Sequence, residues 1–490
     1  GSWVPSIDGR KFPVFNPATE DAFATIMLGG EKDAQAAIEA AKDAFLDWSQ
    51  TSPQDRAAYL QKLLDVYISR NDEMGSVIST EMGAPIDMAV RDQAGSGSSH
   101  LKAFIRALGS MEFQRALRPG IEGQDIVYEA AGVAGLITPW NWPMNQVVLK
   151  VGAALAAGCT MVLKPSEIAP LSSVVFAEMV HEAGFPPGVF NMVNGDGVGV
   201  GSILSSHPGI DVVSFTGSTR AGILISKAAA DTVKTVSLEL GGKSPNLVFD
   251  DCDLEKAVRS GAAFCFNNTG QSCNAATRML VQRSIYDEAV EIAAAKAAST
   301  KVDLPSNEGK HIGPLVSEAQ FEKVQRLIQT GIDEGARLVA GGVGRPEGLN
   351  RGWFVRPTVF ADTKPDMTIM REEIFGPVLQ IIHVDNFIEG LEIIKNNNFG
   401  NGCAIFTGNG EAARTFTSEV DIGMIGVNIP LPVPSAFHSF GGWKDSFFGD
   451  LNIYGPDGLR FYTQRKTITQ RWPSSNNQNS KINFSMPTNN

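Results

Sequence analysis

The chain has 490 residues, a net charge of −12 and a hydrophobic content of 43%. This length exceeds what one hydrophobic core organises, so two or three domains are expected. The acidic balance argues against a nucleic-acid partner and against a polybasic membrane patch, because phosphate groups are bound by clustered cations. No apolar run reaches transmembrane length and no secretory pattern opens the chain, so no membrane association is expected.

The cysteines and histidines form neither a disulfide framework nor a metal site. The five cysteines are scattered and include no CxxC pair, and the six histidines are equally dispersed. A structural metal needs ligands at short, regular spacing, so no metal is predicted. Reduced thiols favour a cytoplasmic location.

The N-terminal part of the chain reads as short β-structure followed by a helical layer. Residues 3–30 contain extended pieces with turn signals, which indicate edge β-structure. Apolar residues at helical spacing then predict helices from Glu31 to about Met111. Residues 112–130 look extended and are predicted to form an arm or hairpin.

Two α/β series follow, and together they give the fold class. From Val133 to Leu238, continuous apolar strands alternate with helices, which predicts a parallel sheet covered on both faces in a Rossmann-like dinucleotide domain. Residues 246–428 repeat the alternation and predict a second α/β domain. Residues 456–470, including Arg460 to Thr463, return to a strand pattern, and the Ser/Asn-rich tail from Pro473 is expected to be flexible.

One thiol is placed on a small polar turn that joins a predicted helix to a predicted strand. The run 264–274 reads FCFNNTGQSCN and presents Cys273 just ahead of the strand at Met279. From this run alone, Cys273 is either a small core residue or a nucleophile. A nucleophile needs a base and an oxyanion donor, and the chain must supply both.

Two polar residues at strand ends are candidates for these roles. Glu239 lies between two leucines at the end of an apolar strand, where burial raises a carboxyl pKa towards that of a general base. The alternative is a solvated charge at a strand end. Asn141, held between two tryptophans and two prolines, offers a rigid amide to an oxyanion. The alternative is an Asx-type turn cap. Asn141, Glu239 and Cys273 are expected at the carboxyl edge of the predicted sheet or just after it.

Three segments are candidates for binding a dinucleotide. The glycine cluster 195–201 resembles a fingerprint, although Ser202 stands where the third glycine belongs, and a plain glycine-rich turn explains it about as well. The turn FTGSTRAG at 215–222 follows a strand and offers N–H groups and a hydroxyl to phosphate; a simple N-cap is the alternative. Lys164 and Glu167 in KPSE suit ribose hydroxyls, and Glu167 would repel a 2′-phosphate and favour NAD over NADP. An exposed charged loop is the alternative.

Taken together, these motifs resemble the NAD(P)-dependent aldehyde dehydrogenase superfamily over nearly the whole chain, from about Trp3 to Trp472. The resemblance is carried by TPWNWP at 138–143, KPSE at 164–167, FTGSTRAG at 215–222, LELGGKSP at 238–245, GQSC at 270–273 and EEIFGPV at 372–378. The resemblance implies a Rossmann-like NAD-binding domain, an α/β catalytic domain and a small β oligomerisation arm. The implied ranges are 3–111 and 131–240 for the NAD-binding domain, 241–455 for the catalytic domain, 112–130 and 456–472 for the arm, and 473–490 for the flexible tail.

The resemblance also implies a role for each matching residue. Cys273 would attack the aldehyde, Asn141 would hold the oxyanion together with the Cys273 N–H, Glu239 would activate the hydrolytic water, and Lys150 would assist proton relay. Lys164 and Glu167 would bind the adenine ribose, Gly217 and Ser218 the diphosphate, and Glu373 the nicotinamide ribose, with Phe375 packing nearby. The remaining expected cofactor contacts are Ile137, Thr138, Pro139, Trp140, Ser166, Gly197, Gly201, Phe215 and Leu240. The expected partners are NAD, with NADP possible, a small aldehyde, and further copies of the chain in a homodimer or homotetramer.

The C-terminal part resembles one branch of the superfamily. From about Asn396, stretches such as FGNGCAIFT, GVNIPLPVP and FYTQRKTITQRW resemble methylmalonate-semialdehyde dehydrogenase. Those relatives use CoA, lack the glutamate base and carry arginine before the nucleophile, whereas this chain has Glu239 and Ser272. Hydrolysis of the thioester is therefore expected, and CoA-dependent acylation of a semialdehyde is the alternative. A separate hypothesis is that the chain is a mosaic of two branches of the superfamily.

The aldehyde itself is not named by the sequence. Trp142, Met144, Phe440 and the segment 429–440 are expected to line the substrate tunnel. No carboxylate-binding arginine stands out there, which favours an uncharged aliphatic or aromatic aldehyde.

Overall fold

The structure is a computed structural model that describes residues 1–120, 123–430 and 435–470. The predicted flexible tail 473–490 and the last two residues of the predicted arm lie outside these ranges, as do residues 431–434 of the expected tunnel segment.

The first half of the chain forms a β-hairpin, a helical layer and then alternating strands and helices. The predicted edge β-structure at 3–30 is confirmed, because strands 10–16 and 21–28 pair antiparallel. The predicted helical layer to about Met111 is also confirmed. The elements are β1 (Arg10–Asn16), β2 (Asp21–Leu28), α1 (Glu31–Ser49), α2 (Pro53–Ser69), α3 (Asn71–Met82), α4 (Ile86–Met88), α5 (Gly95–Ser110), β3 (Gln114–Ala116), β4 (Gln124–Ala130), β5 (Val133–Ile137), α6 (Pro143–Ala157), β6 (Thr160–Lys164), α7 (Leu171–Glu182), β7 (Phe190–Met192), α8 (Ser202–Ser206), β8 (Val212–Thr216), α9 (Thr219–Ala230) and β9 (Thr235–Glu239).

The second half continues the alternation. Its helix at 254–266 begins after Asp253, whose side chain caps it by accepting the backbone N–H of Lys256. The elements are β10 (Pro245–Val248), α10 (Leu254–Phe266), β11 (Arg278–Gln282), α11 (Tyr286–Ser299), α12 (Glu318–Asp333), β12 (Arg337–Ala340), β13 (Thr358–Ala361), α13 (Thr368–Arg371), β14 (Val378–Val384), α14 (Phe387–Lys395), β15 (Phe399–Gly400), β16 (Gly402–Phe406), α15 (Gly410–Glu419), β17 (Met424–Val427), β18 (Trp443–Lys444), β19 (Phe447–Phe448), α16 (Gly455–Phe461) and β20 (Thr463–Thr469).

The strands from the first series make a six-stranded sheet in the order β19-β9-β8-β5-β6-β7. Strands β5, β6 and β8 are buried along their whole length, as their continuous apolar sequences predict. Strands β5 to β9 are parallel, so their carboxyl ends meet at one edge. The sixth strand, β19, pairs antiparallel with β9. It comes from the range predicted to belong to the catalytic domain.

The strands from the second series make a seven-stranded sheet in the order β12-β13-β14-β11-β10-β16-β17. Its pairs are parallel except for the edge strand β12, which runs antiparallel to β13. Two large apolar clusters cover this sheet. The prediction of a second α/β series is confirmed.

A three-stranded antiparallel sheet, β20-β4-β3, corresponds to the predicted arm. The extended character predicted for residues 112–130 is confirmed. The strand predicted to include Arg460 and Phe461 is wrong in its first part, because these residues lie in α16 and the strand begins at Thr463. Gly455-Pro456 starts α16, since proline is favoured in the first turn of a helix, and the helix buries Leu459 and Phe461.

Candidate active site

The turn that carries the thiol has a strained backbone. After α10 ends, Asn268, Thr269 and Gly270 have φ values of 51°, 55° and 72°. The left-handed region costs a non-glycine residue about 1–2 kcal/mol, and a β-branched threonine is a rare occupant. At Gly270 an added Cβ would lie 2.1 Å from the backbone of Gly376, so a side chain has no room there. Such strain persists only where surrounding contacts hold it, and it is common at functional sites.

Buried hydrogen bonds hold this turn in place. The Asn268 amide donates to the carbonyl oxygens of Asn141 at 2.9 Å and Gln271 at 3.2 Å. The Asn268 side-chain carbonyl oxygen accepts from Gln93 at 3.0 Å. The Thr269 hydroxyl donates to the Gly313 carbonyl at 3.0 Å. The turn is therefore tied to the loop ahead of α6, to the helical layer and to the chain ahead of α12.

The nucleophile candidate and the other catalytic candidates come from different sheets. Asn141 follows β5 and Glu239 ends β9, both at the carboxyl edge of the six-stranded sheet, whereas Cys273 precedes β11 of the seven-stranded sheet. The expectation that all three lie at or after the carboxyl edge of one sheet is therefore wrong for Cys273. The two parts meet closely, because an added Cβ at Gly242 would lie 2.1 Å from the Cys273 carbonyl oxygen. Gly242 thus permits the approach of the thiol-bearing backbone.

Asn141 and Trp142 contact the residues that immediately precede the thiol. The buried Asn141 amide donates to the Gln271 carbonyl at 3.0 Å. The Trp142 indole N–H donates to the Ser272 hydroxyl at 2.9 Å. The structure therefore brings Asn141 to the thiol-bearing turn, and an amide has a second N–H beyond the one used here.

Glu239 and Lys150 form a buried relay through Thr216. The Thr216 hydroxyl donates to Glu239 Oε2 at 3.1 Å and accepts from Lys150 Nζ at 2.8 Å. Glu239 Oε1 is buried and has no partner among the described residues. Burial raises the pKa of Glu239, and Lys150 and the Thr216 hydrogen bond oppose this rise. Burial lowers the pKa of Lys150 to about 8. Both groups are thereby brought towards the pH range in which proton transfer is efficient.

The environment of Cys273 sets its protonation. Burial, followed by the charges of Glu239 and Glu373, raises the pKa of Cys273 to about 12. Hydrogen bonds from the Asn401 side chain and from its own backbone N–H favour the thiolate. The resting thiol is therefore protonated near neutral pH, and a proton acceptor is required for attack.

The KPSE segment lies at the carboxyl edge of the six-stranded sheet, where ligands of doubly wound sheets bind. Lys164 ends β6, and its buried ammonium contacts Glu167 at 3.2 Å and the Gly195 carbonyl at 2.6 Å. Burial lowers the pKa of Lys164, and Glu167 opposes this. Ser166, which lies between Lys164 and Glu167 in the sequence, is also buried. The predicted ribose-binding pair and the glycine cluster are thus adjacent.

Further residues predicted to contact the cofactor lie at the same edge of the six-stranded sheet. Gly197 and Gly201 bound a short π-helical segment, and an added Cβ at Gly197 would meet nothing within 4 Å. The Ser218 hydroxyl accepts the Ala221 N–H at 3.3 Å and caps α9. This contact is the one expected if the 215–222 turn serves as a simple N-cap. Ile137 and Phe215 lie in β5 and β8, and Gly217 follows β8. Thr138 Oγ1 is buried without a partner among the described residues.

Glu373 lies beside the glycine pair that follows β9. Its carboxylate accepts the Gly242 N–H at 2.9 Å, and burial raises its pKa. Phe375 adopts a φ of 60° and packs edge-on against Trp140 with ring centroids 5.5 Å apart. Leu240 is buried in the apolar cluster that covers β5, β8 and β9, and Pro139 precedes Trp140 in the loop after β5. These contacts connect the cofactor candidates of the two sheets.

Four residues of this region were not predicted from the sequence. Thr216 bridges Glu239 and Lys150, Asn401 acts on the thiol, and Lys323 contributes a charge that opposes the raised pKa of Glu373. Tyr454 is a fourth, since the charges of Glu239 and Cys273 contribute to its raised pKa. Thr216 belongs to a motif that was recognised, so its strand-end position was a usable signal. The other three carry no local signal.

Within residues 1–120, 123–430 and 435–470, no helix is long and apolar enough to cross a bilayer. The same ranges contain no group of three His, Cys, Asp or Glu side chains arranged to hold a metal.

Comparisons with known proteins identify the family of the chain. Residues 3–468 match the model of the aldehyde dehydrogenase family. A 3-succinoylsemialdehyde-pyridine dehydrogenase from a Pseudomonas species is 45% identical over 96% of this chain and 97% of that protein. A crystal structure of an aldehyde dehydrogenase from Bartonella henselae is 50% identical, with a TM-score of 0.93, over 96% of this chain and 97% of that one.

A second similar solved structure contains both a dinucleotide and an aldehyde. It is a cysteine-to-alanine variant of aldehyde dehydrogenase C from Pseudomonas syringae in complex with NAD+ and octanal. It is 42% identical, with a TM-score of 0.92, over 96% of this chain and 95% of that one. The α/β fold, the thiol-bearing turn with its buried carboxylate, and these matches along the same residues lead to one conclusion: the chain belongs to the aldehyde dehydrogenase family.

Proposed function

We propose that this chain oxidises an aldehyde to a carboxylic acid, with a cysteine nucleophile and NAD as the hydride acceptor. The observation that carries the proposal is the convergence of Cys273, Asn141 and the Glu239–Thr216–Lys150 relay from two sheets. Nucleophile, oxyanion donor and base are the set that covalent catalysis on a carbonyl needs.

The first half of the reaction uses the thiol and its donors. Cys273 Sγ bonds to the carbonyl carbon, and the developing oxyanion accepts from the free N–H of the Asn141 amide and from the Cys273 backbone N–H. Because burial keeps the thiol protonated, the attack must coincide with transfer of its proton to a base. Glu239 is the carboxylate whose charge acts most strongly on the thiol.

The second half hydrolyses the thioester. Glu239 accepts a proton from water, the hydroxide bonds to the thioester carbon, and the Cys273–carbon bond breaks to release the acid. The Thr216 hydroxyl keeps Glu239 oriented and connects it to Lys150, so the proton that Glu239 took from the thiol passes to Lys150 before Glu239 accepts one from water. Ser272, in the position that CoA-using relatives give to arginine, and the presence of Glu239 both favour water as the acyl acceptor.

The residues at the carboxyl edge suit a dinucleotide. Lys164 and Glu167 would bind the adenine ribose, the 217–218 turn the diphosphate, and Glu373 with Lys323 the nicotinamide ribose. The buried, unpartnered Thr138 hydroxyl supports the presence of a further polar group at this edge. When bound, NAD supplies the acceptor for the hydride that the aldehyde carbon loses. Glu167 disfavours a 2′-phosphate, so NAD is preferred to NADP.

The test is NADH formation at 340 nm with pentanal and no CoA. Cys273→Ala should abolish turnover, and Glu239→Gln should give a single burst of NADH followed by a stalled acyl-enzyme. Cys252→Ala removes a half-buried thiol elsewhere and should leave the rate unchanged. Full activity in Cys273→Ala would refute the assignment.

The alternative is CoA-dependent acylation of a semialdehyde, which the C-terminal likeness to methylmalonate-semialdehyde dehydrogenase favours. Mass spectrometry of the products with and without CoA separates the two. An acyl-CoA product formed faster than the free acid would establish the alternative. The hypothesis of a two-branch mosaic also stays a prediction; single relatives match the chain continuously over 96% of its length.

The substrate class that we propose is an uncharged aldehyde. Two similar proteins have names that mention such compounds, a pyridine-linked semialdehyde in one and octanal in the other. Trp142 contacts Ser272 beside the thiol, and Met144 and Phe440 belong to the apolar cluster against which Cys273 packs. A panel of aldehydes scored by kcat/KM with NAD and with NADP tests both preferences.

The assembly and location remain proposals as well. Strand β20 is exposed along most of its length and forms one of the two outer strands of the arm, which supports contact with a second copy in a dimer or tetramer. All five cysteines are free, which supports a reducing, cytoplasmic compartment. Light scattering of the purified chain tests the assembly, and a monomer would contradict it.

A further inference from the structure

A second polar network lies beside the proposed catalytic residues, and no catalytic role has been assigned to it. It consists of His100 in α5, Asn145 in the first turn of α6 and Tyr454 just ahead of α16. The Tyr454 hydroxyl donates to Asn145 Oδ1 at 3.2 Å. The Asn145 amide nitrogen lies 3.1 Å from His100 Nε2.

The network consists of two buried side chains that hold one accessible side chain. His100 and Tyr454 are 2% and 4% exposed, whereas Asn145 is only partly buried. Tyr454 is fixed by stacking on Phe440 with ring centroids 5.4 Å apart, and it packs edge-on against His100 at 5.2 Å. The orientation of the Asn145 amide is therefore set from both of its polar atoms.

Asn145 lies in the first turn of α6, the helix whose N-cap residue Trp142 contacts the thiol-bearing turn. Trp142, three residues earlier, donates to Ser272, the neighbour of Cys273. At the other end of the network, the charges of Glu239 and Cys273 add to burial in raising the pKa of Tyr454. Asn145 follows Asn141 by four residues, across the loop that leads into α6.

The hydrogen-bonding side chains of the network are neutral near pH 7. Burial lowers the pKa of His100 to about 3, so the imidazole is neutral near pH 7. Burial also keeps Tyr454 protonated by raising its pKa. Charged groups near the network include Glu239, which is joined to Lys150 through Thr216, and the exposed Arg106 of α5, whose guanidinium lies over the Phe437 ring at 4.5 Å. One amide N–H of Asn145 faces His100, and the second remains for a ligand.

We propose that Asn145 is a specificity-determining residue that donates a hydrogen bond to an uncharged acceptor, such as a keto oxygen, in the chain of the aldehyde. His100 and Tyr454 are positioning residues that fix the amide. The inference rests on the proposed aldehyde oxidation and narrows its substrate class. A site built to hydrogen-bond a substrate discriminates against the analogue that lacks the partner atom, because its polar group is then left unpaired.

The test compares 4-oxopentanal with pentanal and 5-oxohexanal with hexanal in the full-length protein. Wild type should show a higher kcat/KM for at least one oxo-aldehyde than for its hydrocarbon partner. Asn145→Leu should lower kcat/KM for that oxo-aldehyde by about 3- to 10-fold and leave the hydrocarbon aldehyde unchanged or improved. Tyr454→Phe retains the ring on Phe440 and removes only the hydroxyl, so it should lower the same specificity ratio by a smaller factor.

The outcomes separate the inference from the proposed function. If wild type oxidises none of the four aldehydes, the proposed function fails. If it oxidises all four and Asn145→Leu changes every kcat/KM by the same factor, only the inference fails. If Asn145→Leu does not fold, Tyr454→Phe and Asn145→Ala carry the test, and an unchanged specificity ratio in both overturns the inference.

Discussion

The buried relay makes a quantitative prediction for Thr216→Val. Valine has nearly the shape of threonine, so the substitution removes the hydroxyl between Lys150 and Glu239 with little change in packing. The hydroxyl gives Glu239 its one hydrogen bond from the described side chains, at 3.1 Å, since Oε1 is already unpartnered. In Thr216→Val, the buried Glu239 carboxylate would therefore have no side-chain hydrogen-bond donor among the described residues.

The size of the effect follows from the charge on the acceptor. A hydrogen bond to a charged group contributes about 1.5–3 kcal/mol, and about 1.4 kcal/mol corresponds to one pKa unit. The Thr216 bond lowers the pKa of Glu239, so its loss should raise that pKa by about 1–2 units. Because the base acts when deprotonated, the acid limb of the kcat–pH profile should move to higher pH by this amount. At a pH below the limb, kcat should fall at least about tenfold and recover at high pH.

The assay is the pH dependence of steady-state kcat together with the pre-steady-state burst of NADH. Thr216→Ser retains the hydroxyl and serves as the matched control, with its acid limb unmoved. Melting temperatures of both variants show whether either is unfolded. If Thr216→Val loses activity equally at every pH, or moves the limb by less than about 0.3 units, the relay does not tune the base.

Two further predictions concern the thiol-bearing turn. Gly270→Ala combines a left-handed φ with a Cβ 2.1 Å from the Gly376 backbone, whereas Gly335→Ala has a φ of 87° and open space around the added Cβ. Gly335→Ala should lower the free energy of unfolding by about 1–2 kcal/mol, and Gly270→Ala should lower the melting temperature much further. Equal losses of stability in the two variants would exclude the steric conflict at Gly270. The Trp142–Ser272 bond predicts that Trp142→Phe and Ser272→Ala each lower kcat/KM by about 2- to 10-fold. The double variant should be no worse than either single one, and additive losses would show that the two side chains act independently.

The parts of the fold that were predictable are those determined by local pattern. Helix α10 follows from apolar spacing and an Asp cap, and the buried strands β5, β6 and β8 follow from continuous apolar runs. The placement of Glu239 and Asn141 at one edge of the first sheet was predictable because the carboxyl ends of parallel strands meet there. Each of these inferences uses residues that are near one another in sequence.

The parts that were missed depend on contacts between distant segments. Nothing near Asn401 indicates that its side chain contacts the Cys273 thiol, and nothing near Lys323 indicates its proximity to Glu373. The segment Gly455–Phe461 contains β-favouring aromatic residues at its borders, yet burial of Leu459 and Phe461 against α5 and α6 stabilises a helix. Tertiary packing overrides local propensity in such segments.

The antiparallel pairing of β19 with β9 has a consequence for how the chain is made. Phe447 pairs with Glu239 itself, and the Leu240 N–H donates to the Ser446 carbonyl. About 200 residues therefore leave the ribosome between the proposed base and the strand that completes its edge. At 5–20 residues per second this is a delay of roughly 10–40 s, during which β9 is an open sheet edge on the nascent chain. The surroundings of Glu239, the proposed base, are thus among the last features of the first sheet to form.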